Sequence, residues 1–119
     1  MSEMALSFKF NGFAERMHEL ARKKGWWGKG KDRSFGELIA LLHSELSEAL
    51  EEYRANPDVT RIFCVGADAA PHGVPVELAD LVIRLADMCG ALGIDLEKAV
   101  ALKVEYNKKR PFRHNGKTI

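Results

Sequence analysis

The sequence predicts an all-α fold, a helical bundle of four main helices in one domain over residues 1–119. Three observations carry that prediction. Apolar residues recur at helical spacing in four segments, each segment is bounded by cap or stop residues, and the only candidate strand, Ile62 to Val65, is very short. A length of 119 residues is enough to bury a modest core without staples.

The first segment runs from about Ser7 to Lys24, with Phe10, Phe13, Met17 and Leu20 on one face and Gly25 as a stop. A basic linker rich in glycine and tryptophan, "GWWGKGKDR", occupies residues 25–33. Ser34 is the predicted N-cap of the second helix, with Glu37 placed as in a capping box. That helix ends near Asn56, because Pro57 disfavours helical geometry in the residue before it. Residues 57–75 read as a loop around the short strand. The third helix spans about Val76 to Leu92 and stops at Gly93; Asp95 caps a fourth, which reaches Lys109 or Arg110 before Pro111. The tail over residues 111–119 is polar.

Composition narrows the function classes. Eighteen Lys and Arg against seventeen Asp and Glu give a formal net charge of +1, without the basic excess of a nucleic-acid-coating protein. Stable nucleic-acid binding is not expected. The two cysteines, Cys64 and Cys89, lack paired spacing, so reduced thiols are expected rather than a disulfide framework or a zinc site. The N-terminus is too short and polar for a secretory signal, and no run approaches a membrane span. The expectation is a soluble, cytoplasmic protein.

The charges are more informative than their sum. On the second helix Leu38, Leu42, Leu46, Ala49 and Tyr53 form a stripe, with Glu45 at its edge and Glu48 and Glu52 continuing along the same side. On the third, Leu78, Leu81, Leu85, Met88 and Leu92 form the stripe, while Glu77, Asp80, Arg84 and Asp87 line one flank. Each helix thus sets an acidic pair at i and i+3 beside its apolar face: Glu45 with Glu48, and Glu77 with Asp80. Packing the stripes together gathers up to four carboxylates, which oppose one another unless a cation joins them. All-oxygen ligands suit Mg2+, with Mn2+ as a substitute. Taken singly, each pair reads better as solvated surface acids, with Asp80 pairing to Arg84 at i+4; it is the two pairs together that point to a cation.

The fourth helix aligns Lys103, Asn107 and Arg110 with its apolar side at i, i+4 and i+7. Cations and an amide there suit phosphate binding; they equally suit the negative end of the helix macrodipole. Trp26 and Trp27 fit either a wall for stacking a base or a hydrophobic anchor for the linker. The four histidines have no partners at metal-ligand spacing.

"Glu45-Leu-Ser-Glu48", followed after residues 49–76 by "Glu77-Leu-Ala-Asp80", resembles the paired acidic motif of the MazG-like all-α nucleoside triphosphate pyrophosphohydrolases. The resemblance covers roughly Leu20 to Lys117 and includes "GWW" and the Lys-x-x-x-Asn-x-x-Arg pattern of the fourth helix. It implies a Mg2+-dependent enzyme that converts a (deoxy)nucleoside triphosphate to the monophosphate and pyrophosphate, clearing unwanted nucleotides. It also implies metal ligands at Glu45, Glu48, Glu77 and Asp80, and Glu48 as the base that activates water. Lys103, Asn107, Arg110, Trp26 and Trp27 would be substrate-binding, in a homo-oligomer, dimer or tetramer. One position departs: many relatives carry a second glutamate where this chain has Ser44. That departure sustains an alternative, a non-catalytic helical oligomer that binds nucleotide or metal.

Overall fold

The computed structural model describes residues 7–28 and 33–110. It is mainly helical, with α1 over Asn11–Lys23, α2 over Phe35–Ala55, α3 over Val74–Leu92 and α4 over Leu96–Lys109. A small antiparallel hairpin, β1 (Phe63–Val65) with β2 (Ala70–His72), stands between α2 and α3. Its register pairs Phe63 with His72 and Val65 with Ala70. The apolar run near Ile62 therefore does become a strand, and it finds its partner in "APH", which the intervening glycine and acidic residues obscure in sequence. Among the described residues no helix is long and apolar enough to cross a membrane.

Local chemistry sets the helix limits. The Ser34 hydroxyl accepts a hydrogen bond from the Glu37 backbone N–H at 3.1 Å, and Asp95 does the same for Lys98 at 3.0 Å. Asn56 is extended ahead of Pro57. α3 begins at Val74, two residues earlier than the sequence suggests, because Pro75 fits a helix's first turn. At the junction of hairpin and helix, Gly73 has φ 122°, and a β-carbon there would lie 2.2 Å from the Arg61 carbonyl oxygen.

α3 is the central helix, with α1 packed along one side and α2 along another. α1 and α2 share no comparable seam, and α4 packs along none of the other helices. In place of the expected four-helix bundle, two helices, α1 and α2, pack on α3, and the fourth leaves them. α4 is fixed at its start. The Glu97 carboxylate accepts from the backbone N–H groups of Phe10 and Asn11 at 2.7 and 2.8 Å, and the Asn11 side chain donates to Asp95 at 2.9 Å. Glu97 thereby caps α1, whose own N-cap residue, Phe10, offers no side-chain acceptor. These bonds hold the Glu97 and Asp95 carboxyls below their ordinary pKa values.

The core lies between α1 and α3: Phe10, Ala14, Ala86 and Cys89, with Phe8, Met17, Leu85 and Leu96 against them. The buried face of α1 carries Phe10, Ala14 and Ala21, whereas Phe13 and Leu20, expected in the stripe, are exposed. Close approach selects the small residues. A β-carbon on Gly90 of α3 would come within 2.5 Å of the Ala14 carbonyl oxygen, so the helices cross where neither carries bulk. The radius of gyration is 17.6 Å, against roughly 13–14 Å for a compact chain of this length.

Candidate metal centre

The seam between α2 and α3 differs from the core. On α2 the buried residues are Leu38, Glu45 and Ala49, while Leu46 and Tyr53 of the expected stripe are about half exposed. Glu45 therefore lies within the buried face, not at its edge, with 8 % of its surface accessible. Across the seam, α3 presents Glu77 in its first turn and Asp80 one turn on. One carboxylate oxygen from each of Glu45, Glu77 and Asp80 lies within 4.8 Å of the others. Two helices thus bring three of the four predicted ligands together.

Burial is the first cause, and neighbouring carboxylates the second, that raise the Glu77 pKa; Asp80, Glu45, Glu48 and Glu52 all contribute. Burial and the Glu45 charge likewise raise Asp80, and Arg84 partly opposes them. The cluster carries one internal counter-charge: Arg84 Nε donates to Glu45 Oε2 at 2.5 Å. The i+4 pairing of Arg84 with Asp80 is thus replaced by a bond across the seam.

Glu48 is exposed and stands outside this trio, although close enough for its charge to act on Glu77. Ser44 turns back on its own helix, its hydroxyl donating to the Leu41 carbonyl at 2.8 Å. The predicted phosphate-binding residues are further removed. α4 has no buried residue, Lys103 and Asn107 are exposed, and the Lys103 and Arg110 cations lie 4.9 and 5.9 Å over the Tyr106 ring. Their expected inward stripe does not form within one chain, because α4 packs on the core only through its first residue, Leu96.

The two tryptophans divide. Trp27 anchors the linker: its indole N–H donates to the Asp87 carboxylate at 3.0 and 3.1 Å, and its ring meets His18 edge-on at 5.0 Å. Trp26 is half exposed, with its carbonyl oxygen accepting from the Arg33 guanidinium. His18 Nδ1 lies 2.8 Å from Asp87, a partnership invisible to a search for short spacings, since the two residues come from different helices. Lys29 and Lys31 of the linker, and the tail over 111–119 with His114, lie outside the described residues.

An ion at 2.0–2.1 Å from each oxygen draws its ligands within about 4.2 Å of one another, a short closure for carboxylates on two packed helices. Three hard oxygen donors, two of them with raised proton affinity, fit a divalent cation of the magnesium type. The described pocket lined by Asn11, Glu15, Cys89 and Gly93 is a separate feature, about 20 Å further along α3. No family model, curated protein or solved structure matches the chain.

Proposed function

We propose that this chain is a Mg2+-dependent nucleoside triphosphate pyrophosphohydrolase of the MazG-like kind, releasing pyrophosphate and a nucleoside monophosphate. The observation that supports the reading is the convergence of Glu45, Glu77 and Asp80, in the order of the paired acidic motif, on one seam. Glu45, Glu77 and Asp80 would hold the ion. Once bound, Mg2+ would lower the pKa of a water, orient the triphosphate and offset charge on the leaving pyrophosphate. Glu48 lies one turn from Glu45 and has no ion-pair partner among the described residues, which leaves it open to accept the proton of the attacking water. Glu51, by contrast, is tied to Arg54.

The reading includes a homo-oligomer. Leu46 and Leu50 of α2, Val82 of α3, and Leu102 and Tyr106 of α4 are each at least 43 % exposed, more apolar helix surface than an isolated domain ordinarily leaves in water. Subunit association would cover these faces and give Lys103, Asn107 and Arg110 a route to the carboxylates of a neighbouring copy. A cytoplasmic housekeeping role belongs to the same reading.

Incubating the protein with a panel of nucleoside and deoxynucleoside triphosphates, with Mg2+ or Mn2+, and detecting pyrophosphate tests it. Turnover of at least one nucleotide, lost in Glu48→Gln and Asp80→Asn with the fold intact, is expected. No turnover across the panel would refute the hydrolase. Ser44, spent on a helix carbonyl in place of a further carboxylate, favours the second reading, a nucleotide-binding oligomer without hydrolysis. Calorimetric binding of a nucleotide that stays intact after long incubation would select it.

A further inference from the structure

Arg84 projects from α3 one turn beyond Asp80, on the flank that carries Glu77 and Asp80. Its attachment to the cluster is one-sided. Nε is bonded to Glu45 Oε2, but neither terminal nitrogen has a hydrogen-bond partner among the described residues, and the side chain is 36 % exposed. A guanidinium serving only as counter-ion to a carboxylate tends to use two parallel N–H donors in a fork. Here one edge is used and the four N–H groups of the two Nη atoms remain open to solvent beside the carboxylates.

Charge gives this placement a consequence. Three ionised carboxylates repel any anion, and a divalent cation alone leaves one negative charge uncompensated. Arg84 balances that remaining charge on the three ligands, which leaves only the outlying Glu48 and Glu52 to repel a polyphosphate as it approaches. Lys103 and Arg110, the cations expected from sequence to bind phosphate, lie against Tyr106 on a helix that does not pack on this seam.

We propose that Arg84 is the phosphate-binding residue of the carboxylate cluster, held by Nε on Glu45 while its terminal nitrogens take a phosphate oxygen of a polyphosphate ligand. The inference rests on the cluster being a divalent-cation site. A guanidinium anchored at one end is pre-ordered, so its fork loses little freedom on gripping an oxyanion. It also ties the metal ligand Glu45 to the anion through one side chain, so that cation and polyphosphate register together.

Two titrations by calorimetry test this on wild type, Arg84→Gln and Arg84→Lys: Mn2+ alone, then inorganic triphosphate with Mn2+ saturating. Circular dichroism confirms that each variant is folded. Arg84→Gln should weaken triphosphate binding by roughly tenfold to a hundredfold, the range for a charge-assisted hydrogen bond, while Mn2+ affinity stays within about threefold. Arg84→Lys, which keeps the charge without the fork, should fall between, and it decides the matter if the glutamine variant fails to fold. Unchanged triphosphate affinity overturns the proposal. So does an equal loss of both affinities, since Arg84 would then only position Glu45. A wild type that takes up no Mn2+ defeats the metal reading and this proposal with it, whereas Mn2+ uptake with unchanged triphosphate affinity defeats the proposal alone.

Discussion

The two seams that α3 makes are built on opposite terms. Against α1 it sets Ala86, Cys89 and Gly90, and the helices approach until a single extra carbon does not fit. Against α2, near its other end, it sets Glu77 and Asp80 opposite a buried Glu45. The first seam is stabilised by excluded water and close packing. The second holds like charges together around one internal counter-charge, Arg84, and their mutual repulsion opposes packing. One helix therefore carries a structural end and a chemical end, and each responds to its own kind of perturbation.

The largest effect is expected at the structural end. Gly90→Ala would favour a helix by propensity, yet its β-carbon meets the Ala14 carbonyl, so a net destabilisation of about 1–3 kcal/mol is predicted by urea denaturation. A variant as stable as the wild type would show the α1–α3 crossing to be looser than described. Next, Trp27→Phe keeps the ring but removes the N–H bonded to Asp87, and should lower stability by about 1.5 kcal/mol. Asp87→Asn, which retains an acceptor, should have a smaller effect.

At the chemical end the sign reverses. Without divalent ions, Glu77→Gln or Asp80→Asn removes one of several crowded carboxylates, so thermal stability should hold or rise, by less than about 1 kcal/mol because the groups are partly solvated. With Mg2+ the order inverts: the wild type gains melting temperature and the variants do not. A metal-free loss of stability in either variant would show that these carboxylates support the seam instead of straining it.

The smallest effect is in pH. Folded pKa values of Glu77 and Asp80 lie above their unfolded values, so the folded chain binds more protons between the two. Their contribution is fully present below the ordinary carboxylate range and is lost as pH rises through the folded values. Glu97 and Asp95 act oppositely: their depressed folded values give stability above the ordinary range that is lost as pH falls through those folded values. In metal-free buffer the wild type should therefore lose less stability on mild acidification than Glu77→Gln, as followed by melting temperature across pH 6 to 4. Saturating Mg2+ should reverse that difference, because the bound ion favours the ionised carboxylates and is displaced by protons as pH falls.

Sequence carried the parts governed by local rules. Ser34, Asn56–Pro57, Gly93 and Asp95 mark helix ends that the structure reproduces, since capping and proline act within a turn. Acidic spacing pointed to four carboxylates in one place, of which Glu45, Glu77 and Asp80 lie together and Glu48 stays exposed outside them. What failed depended on the partner of each face. Phe13 and Leu20 look like core but lose to Ala14 and Ala21, because Gly90 permits an approach that only small residues survive. Lys103, Asn107 and Arg110 share a helix face in sequence, but that face has nothing to pack against when Glu97 is committed to the start of α1. The His18–Asp87–Trp27 cluster joins three segments distant in the chain, so no spacing announced it.

Uptake of a divalent cation at the α2–α3 seam is the property on which the proposed chemistry depends. Mn2+ titration of the folded wild type and of Asp80→Asn, followed by electron paramagnetic resonance of the free ion, asks this without needing a substrate. Saturable uptake by the wild type, lost or weakened at least about tenfold in Asp80→Asn, is predicted. Equal uptake by both proteins, or none by the wild type, would contradict it.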